Sequence, residues 1–459
     1  MSSTEKSISS SLQHIEKHLA DKNPALLQAF RLYHELDQVA FELDLIGLDE
    51  SLASKTSWSP IITLIGDNTS GKQEFINRYI KPTTPISYNV DNHSQFNVIT
   101  HREDSLSMVL PGTAVDGDPR FPFFHISERL EQIHKGESRH INLYLELQTN
   151  NSPVLKDKTL INAPGFNEHE KQSGINLLRN HACDLSDLVF VFFNADQLDN
   201  LAHRNLSAFF DYAADSQSPN KFIYIISQAE NNQTAINLDE WKTYLKRLGL
   251  QSGQFFILSA DIESSEQKQI EQKLANIDID SAYRILNMLE QHIHDVEDVA
   301  IYEVKNAIAI WKERTHFTLV ALLSVISLTI VAGEIQFGLL AILLDPFVAS
   351  IFLFLLTIGL IPFHWYSSTV HAKFIITMLQ ERQMKLGLME NLPALFAKNL
   401  TLWRIFLPLK EPMGWTKETK ETLDMILTRA KSLVQSLNNS FNASSSTNNS
   451  QPQDTFLNL

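Results

Sequence analysis

The chain has a single cysteine, Cys183, among 459 residues, which excludes an internal disulfide framework and any zinc site built on cysteine. Positive charge is also in short supply. Lys and Arg number 38 against 53 Asp and Glu, for a formal net charge of −15. That balance argues against nucleic acid as a partner and against a polybasic mode of lipid attachment. Residues 1 to 20 lack a cationic start followed by an apolar core, so no secretory signal is expected and the bulk of the chain is expected in the cytosol. Charged runs such as 417–421 read as solvated helix surface. The length suffices for one nucleotide-type domain and a helical membrane module.

What is present begins with a glycine-rich turn. An apolar, β-branched run from Ile61 ends at Gly66, and a helix-compatible run follows Lys72, giving Gly66-x-x-x-x-Gly71-Lys72 between a strand and a helix N-terminus. Such a loop lets backbone N–H groups of Gly66, Asp67, Asn68, Thr69, Ser70 and Gly71 converge on an anion. Lys72 is placed to reach the β- and γ-phosphates. The next position, where Ser or Thr normally holds Mg²⁺, is Gln73.

Downstream, Lys158 to Gly165 forms a short buried-strand pattern ending in the turn Asn162-Ala163-Pro164-Gly165. Two continuous apolar strands follow, Leu188 to Phe193 and Phe222 to Ile226, and then Phe255 to Leu258 runs into Ser259-Ala260. Strands alternating with helix-length segments imply an α/β fold, a P-loop G domain with a doubly wound, mostly parallel sheet and its ligand at the carboxyl ends of the strands.

At these residues the chain resembles the dynamin superfamily, and within it the EH-domain-containing branch. The segment Val109-Leu110-Pro111-Gly112 through Asp118-Pro119-Arg120-Phe121-Pro122-Phe123 is similar to that branch's motif after the first switch, as are Pro153-Val154-Leu155 and Phe192 to Asp199. The resemblance covers roughly residues 25 to 260. It implies GTP binding, with ATP as the alternative, at Gly66 to Gln73, Asn162, Gly165, Ser227, Gln228, Glu230, Ser259 and Ala260.

The same resemblance implies incomplete catalytic equipment. Gln73 stands where the Mg²⁺ hydroxyl belongs, and Asn162 replaces the aspartate that orders the metal's water shell. In the first switch Val90-Asp91-Asn92 aligns where the family has Pro-Thr-Thr, leaving Thr83 and Thr84 as nearby hydroxyls. No metal ligand is assigned beyond Gln73, Thr83 and Thr84 as candidates, so the need for Mg²⁺ stays open. The base-reading segment is Ser227-Gln228-Ala229-Glu230, in which Glu230 can accept from a guanine edge while Gln228 lacks a lysine stem. Weak or absent hydrolysis is expected, because phosphoryl transfer depends on positioning and electrostatics around the metal. No catalytic residue is assigned.

Two uncharged runs, Phe317 to Gly333 and Phe347 to Phe363, flank Glu334 and Asp345. Each is near the lower length limit for crossing a hydrocarbon core of about 30 Å. Lys312 and Arg314 precede the first run and Lys373, Arg382 and Lys385 follow the second, so both ends are expected on the cytoplasmic side. Trp311 and Trp365-Tyr366 read as interfacial anchors. A two-helix transmembrane hairpin follows, with a bacterial inner membrane as the expected location. The branch's calcium-binding module is not expected, since no Asp-x-Asp-x-Asp-Gly loop occurs; the hairpin is instead similar to those of mitofusin-like and atlastin-like dynamins.

The expected organisation is an N-terminal helical segment (1–55), a dynamin-type G domain (56–265), a stalk helix (280–316), the hairpin (317–366), a C-terminal helical segment (367–437) and a disordered tail (438–459). Asn23-Pro24 starts a helix expected beside the G domain. An apolar stripe from Ile285 to Trp311 and a helical stretch from Phe374 to about Leu437 are expected to pair as the stalk. His292, His294 and Asp295 read as solvated surface, because i,i+2 residues do not share a helix face. Two functions are expected to compete: a membrane-anchored GTP-binding protein that remodels or tethers bilayers, as a homo-oligomer or with another dynamin-like protein, and a pseudo-GTPase scaffold that needs no nucleotide. A transporter or channel is poorly supported, because two short helices offer no buried ionisable pathway.

Overall fold

The computed structural model describes residues 12–448 except 14, 18, 21–22, 48–49, 67–69, 83–94, 104–106, 119, 167–172, 196–205, 217–218, 228–237, 251–252, 259–264, 339–344, 387 and 408. The chain opens on helix α1 (Pro24–Glu42), followed by β1 (Ile61–Ile65), α2 (Lys72–Phe75), β2 (Phe96–His101), β3 (Val109–Pro111) and α3 (Ile126–Ile133). Next come β4 (Leu145–Asn150), β5 (Thr159–Ala163), α4 (Ser173–Leu185), β6 (Leu188–Asn194), α5 (Leu206–Asp215), β7 (Phe222–Ser227), α6 (Leu238–Arg247) and β8 (Gln254–Leu258). Helices α7 (Ser265–His294), α8 (Ile301–Phe337), α9 (Pro346–Leu386), α10 (Leu392–Ala397) and α11 (Lys417–Asn448) follow. These elements fall into two compact units, Ser54–Ile285 and Met1–Ala53 with Leu286–Leu459.

The first unit is built on an eight-stranded sheet of order β3-β4-β2-β5-β1-β6-β7-β8. The run β5-β1-β6-β7-β8 is parallel throughout, while β2 meets β5 and β3 meets β4 antiparallel. Central strands covered on both faces need apolar side chains at every position rather than alternate ones. Accordingly β1 (IITLI) and β7 (FIYIIS) are buried throughout. On one face the sheet packs against Leu130 of α3, Leu178 of α4, Phe209 of α5 and Trp241 of α6. On the other it packs against Phe75 of α2 and Ile270, Leu274 and Ile277 of α7. The doubly wound α/β arrangement that the apolar runs predicted is therefore present.

The second unit is helical. Asn23 caps α1, its Oδ1 accepting from Ala25 N at 3.1 Å and Leu26 N at 3.2 Å, with Pro24 in the first turn. The stripe Leu26, Phe30, Tyr33, Leu36 and Val39 is buried. This helix packs along α11, with Arg429 Nη1 2.9 Å from Glu35 Oε1, and belongs to the helical unit. The helical stretch expected from Phe374 to about Leu437 is interrupted: α9 stops at Leu386, the short helices Leu392–Ala397 and Leu402–Phe406 intervene, and α11 begins at Lys417. Pro393 and Pro412 lie in that interval, where a residue without an amide N–H cannot continue a helix. Helix α11 continues to Asn448, so residues 438–448, expected as tail, are helical; 449–459 lie outside the described residues.

Helices α8 and α9 run side by side. Trp311 Nε1 donates to Ser368 O at 3.0 Å, Thr318 Oγ1 meets His371 Nε2 at 2.9 Å, and Arg382 pairs with Glu303 at 3.0 Å, which makes the two helices antiparallel. Each apolar run is part of one longer continuous helix. Gly338 closes α8 in a left-handed conformation (φ +62°) with its N–H on Glu334 O, and Asp345 Oδ1 caps α9 through Phe347 N and Val348 N. Both helices are long and apolar enough to cross a membrane, and no part of either apolar stretch is buried. Trp311 differs from its expected role as an interfacial anchor. It is 1% exposed and edge-on to Phe396 at 5.8 Å, because its indole N–H finds a partner inside the unit.

Candidate functional site

Strand β1 lies between β5 and β6, which the chain reaches in opposite directions along the sheet. That is the switch point, where open α/β sheets leave a crevice beyond the strand ends. Gly66 follows the last residue of β1. A Cβ there would fall 2.8 Å from Phe192 Cβ and 2.7 Å from Ser70 Oγ, so only glycine lets the backbone turn this close to β6.

Gly71 is more constrained. Its φ is +78°, a left-handed conformation, and a Cβ would fall 2.3 Å from Ser227 Cβ at the end of β7. Gly71 therefore lies against the β7 end, which brings Ser227, buried with its Oγ 3.4 Å from Phe193 O, to the same crevice. Lys72 is the first residue of α2, which passes into a π-helical turn at Ile76–Ile80. Its side chain is 3% exposed, and Nζ donates to Gly66 O at 2.7 Å and to Ala163 O at 2.8 Å. The ammonium thus sits across the carboxyl ends of β1 and β5.

Asn162 precedes Ala163 on β5. Alternation along the strand puts it on the face of Leu160, which packs with Phe75 of α2, and it stands opposite Asn97 of β2. Asn162 is 4% exposed and, among the described residues, its Oδ1 has no hydrogen-bond partner. Gln73 Oε1 is likewise buried and without a partner, while its Nε2 donates to Asn77 Oδ1 at 3.1 Å. Among the described residues, neither of these two carbonyl-type oxygens has a donor.

Gly165 is held by Arg179 of α4, whose Nη2 donates to Gly165 O at 2.9 Å and whose guanidinium lies 4.7 Å from the Phe166 ring centre. Arg179 was not singled out in the sequence, since one arginine amid the apolar positions of a helix carries no motif. In the segment after the first switch, Asp118 and Arg120 form a paired contact at 2.5 Å, and Phe123 is buried against Phe96. The structure thus brings together Gly66, Ser70, Gly71, Lys72, Gln73, Asn162 and Ser227 around the end of β1, with Gly165 just beyond β5. Asp67, Asn68, Thr69, Thr83, Thr84, Val90, Asp91, Asn92, Gln228, Glu230, Ser259 and Ala260 lie outside the described residues.

No protein-family model and no curated protein matches the chain. Solved chains of a bacterial dynamin pair are similar to it. They belong to an oligomerised pair described as a mechanism for the long-range sensing and tethering of membranes. One has a TM-score of 0.33 at 15% identity over 66% of this chain and 46% of its own. The second has 0.35 at 13% identity over 70% and 49%. The chain thus spans about half the length of each of these solved chains.

Proposed function

We propose that the chain is a membrane-anchored, dynamin-like nucleotide-binding protein that tethers or remodels bilayers, with little or no hydrolysis of its own. The observation that carries this reading is the position of Lys72, a buried ammonium at the sheet's switch point beside two glycines at which a Cβ would collide with Phe192 and Ser227. The residues fit a phosphate group: the cation lies at the carboxyl edge of the sheet, where α/β folds take phosphorylated ligands. They fit Mg²⁺ less completely. Gln73 Oε1 and Asn162 Oδ1 are neutral oxygens that a hard cation accepts, yet neither supplies the negative charge that offsets its dehydration. A bound metal would neutralise charge on the phosphates; these two residues would hold it weakly, hence the expectation of slow turnover. The resemblance of residues 109–123 to the EH-domain-containing branch supports GTP as the nucleotide.

The membrane part rests on α8 and α9. Phe317, Leu328, Ile335, Phe347, Leu353 and Phe354 are all more than half exposed on them, an arrangement that water penalises and a hydrocarbon phase does not. Trp365 (51% exposed), Tyr366 (67%) and Trp403 (81%) lie at one level, since the His364 and Phe406 rings meet at 5.1 Å and Lys312 Nζ donates to Leu407 O at 2.6 Å. Aromatic side chains at one depth suit a headgroup boundary. The hairpin then has both ends in the cytoplasm, and a bacterial inner membrane is the proposed location.

A second reading draws on the same lysine. Because Lys72 is already satisfied by two main-chain carbonyls, the fold can stand without nucleotide as a scaffold that pairs with an active dynamin-like partner. Equilibrium binding of GTP and ATP analogues to the full chain in detergent, with and without Mg²⁺, separates the two. Saturable binding that Lys72→Ala removes supports the first. Absence of binding at millimolar nucleotide sinks it and leaves the scaffold. Release of the chain from vesicles by alkaline carbonate would overturn the hairpin in either case.

A further inference from the structure

The most unusual side chain in the helical unit is Glu390. It is 0% exposed, on the short segment between α9 and α10, and among the described residues neither carboxylate oxygen has a hydrogen-bond partner. Leaving an ionised carboxylate dry and unbonded costs several kcal/mol, on the order of a substantial fraction of a domain's stability. Something of opposite charge belongs next to it.

What faces it is His292. Expected on a solvated surface, His292 is instead 7% exposed, its Nδ1 lies 3.5 Å from Glu390 Oε1, and that nitrogen also makes no hydrogen bond. The reason is long-range packing: the ring sits edge-on to Tyr33 of α1 at 6.2 Å, and α1 closes over it. His294, two positions on, points away and bonds Asp298 at 3.0 Å. Asp295 stands at i,i+3 from His292 and shares its face. One ligand atom from each of His292, Asp295 and Glu390 lies within 4.8 Å of the other two.

We propose that His292, Asp295 and Glu390 form a binding site for one divalent transition-metal ion, of the Zn²⁺ or Mn²⁺ class. One imidazole nitrogen and two carboxylates are a donor set such ions favour, while the lack of thiolate disfavours Cu(I). Tetrahedral bonds of about 2.1 Å set ligand atoms about 3.4 Å apart, so closing the trio around an ion requires each ligand atom to move by less than about 1 Å. Water completes the coordination.

The surroundings are organised for such a site. His292 and Asp295 fall where α7 passes into a π-helical turn at Asp295–Ala300, a local widening often found where a helix serves a ligand. Glu390 is positioned by its neighbours: Asn391 N donates to Leu45 O at 2.7 Å, Asn391 Oδ1 caps α10 through Ala394 N at 3.0 Å, and Leu392 N donates to Gln383 Oε1 at 3.2 Å. A bound ion would fasten the α7–α8 junction to the segment after α9. That is a staple at the base of the two long apolar helices, separate in residues from the Lys72 crevice.

The test uses the full chain in detergent, stripped with chelator and free of nucleotide, titrated with Zn²⁺ and Mn²⁺ against a chromophoric competitor. The expected result is one ion per chain. Affinity should fall at least tenfold in Glu390→Gln and in Asp295→Asn, with helical circular dichroism retained. Co²⁺ added to the unaltered chain should give the visible absorption of a low-coordinate site, a readout that needs no variant. Failure of the folded chain to take up a stoichiometric ion overturns the proposal, as does unchanged affinity in Glu390→Gln. If instead Glu390→Gln raises the melting temperature and neither form binds metal, the trio is a metal-free pair and the proposal is wrong.

Discussion

Lys72 Nζ donates to the main-chain carbonyl of Ala163 at 2.8 Å, across 91 positions of sequence. The bond ties the glycine-rich turn after β1 to the end of β5, so a side chain suited to binding phosphate also joins two neighbouring strands. Lys72→Ala should therefore act twice. Nucleotide affinity should drop at least tenfold by calorimetric titration. Stability should fall by about 1.5–3 kcal/mol in denaturant unfolding, the range for hydrogen bonds to a charged group.

Gly71→Ala should destabilise the sheet unit without touching any charge. The new methyl would sit 2.3 Å from Ser227 Cβ on a backbone at φ +78°. The conformational penalty alone is roughly 1–2 kcal/mol, and the clash adds to it. A lower melting temperature with weakened nucleotide binding is expected; an unchanged melting curve would show that Gly71 does not lie against the β7 end.

Asp187 and Arg284 offer a test away from the crevice. Arg284 Nε meets Asp187 Oδ1 at 2.7 Å, and Asp187 Oδ2 accepts from Ile61 N at 2.8 Å, so the pair anchors the start of β1 to α7. The Asp187 side chain is fully buried. Arg284→Met should cost about 3–5 kcal/mol, because it strands a buried carboxylate. Pairing it with Asp187→Leu should recover part of that loss in a double-mutant cycle.

His181 predicts a pH dependence. Its Nε2 lies 2.9 Å from Pro122 O and its Nδ1 3.0 Å from Arg129 Nη1, which suits a neutral ring. Burial, and then Arg129, depress its pKa from 6.5 to about 4. Below pH 6.5 the unfolded chain binds a proton that the folded chain refuses, so stability should fall as pH drops from about 6.5 towards 4. The full effect is at most about 3 kcal/mol. In His181→Asn the slope of unfolding free energy against pH over that window should flatten; an unchanged slope would assign it to other groups.

Much of the architecture was legible locally. The apolar, β-branched run from Ile61 and the continuous apolar runs at Leu188–Phe193 and Phe222–Ile226 lie in the central strands, since strands covered on both faces tolerate no polar alternation. Asn23-Pro24 read as a helix start and is one. The structure places Gly66, Gly71, Lys72, Asn162 and Ser227 in or directly after the carboxyl-terminal ends of β1, β5 and β7. Less was readable where partners are far apart. Arg179 and Arg284 carry no motif, and the burial of Trp311 follows from Phe396 and Ser368 arriving from distant segments.

The amino-acid order by itself determined the strands, the two long apolar helices and the chemistry offered at the end of β1, because period, apolarity and glycine placement act over a few residues. Tertiary structure alone decided that α1 lies along α11, that His292 and Glu390, 98 positions apart, meet in a dry pocket, and that Asp187 finds Arg284. Those pairings depend on where whole helices come to rest. A buried charge is costly or useful only relative to a neighbour that the local pattern does not name.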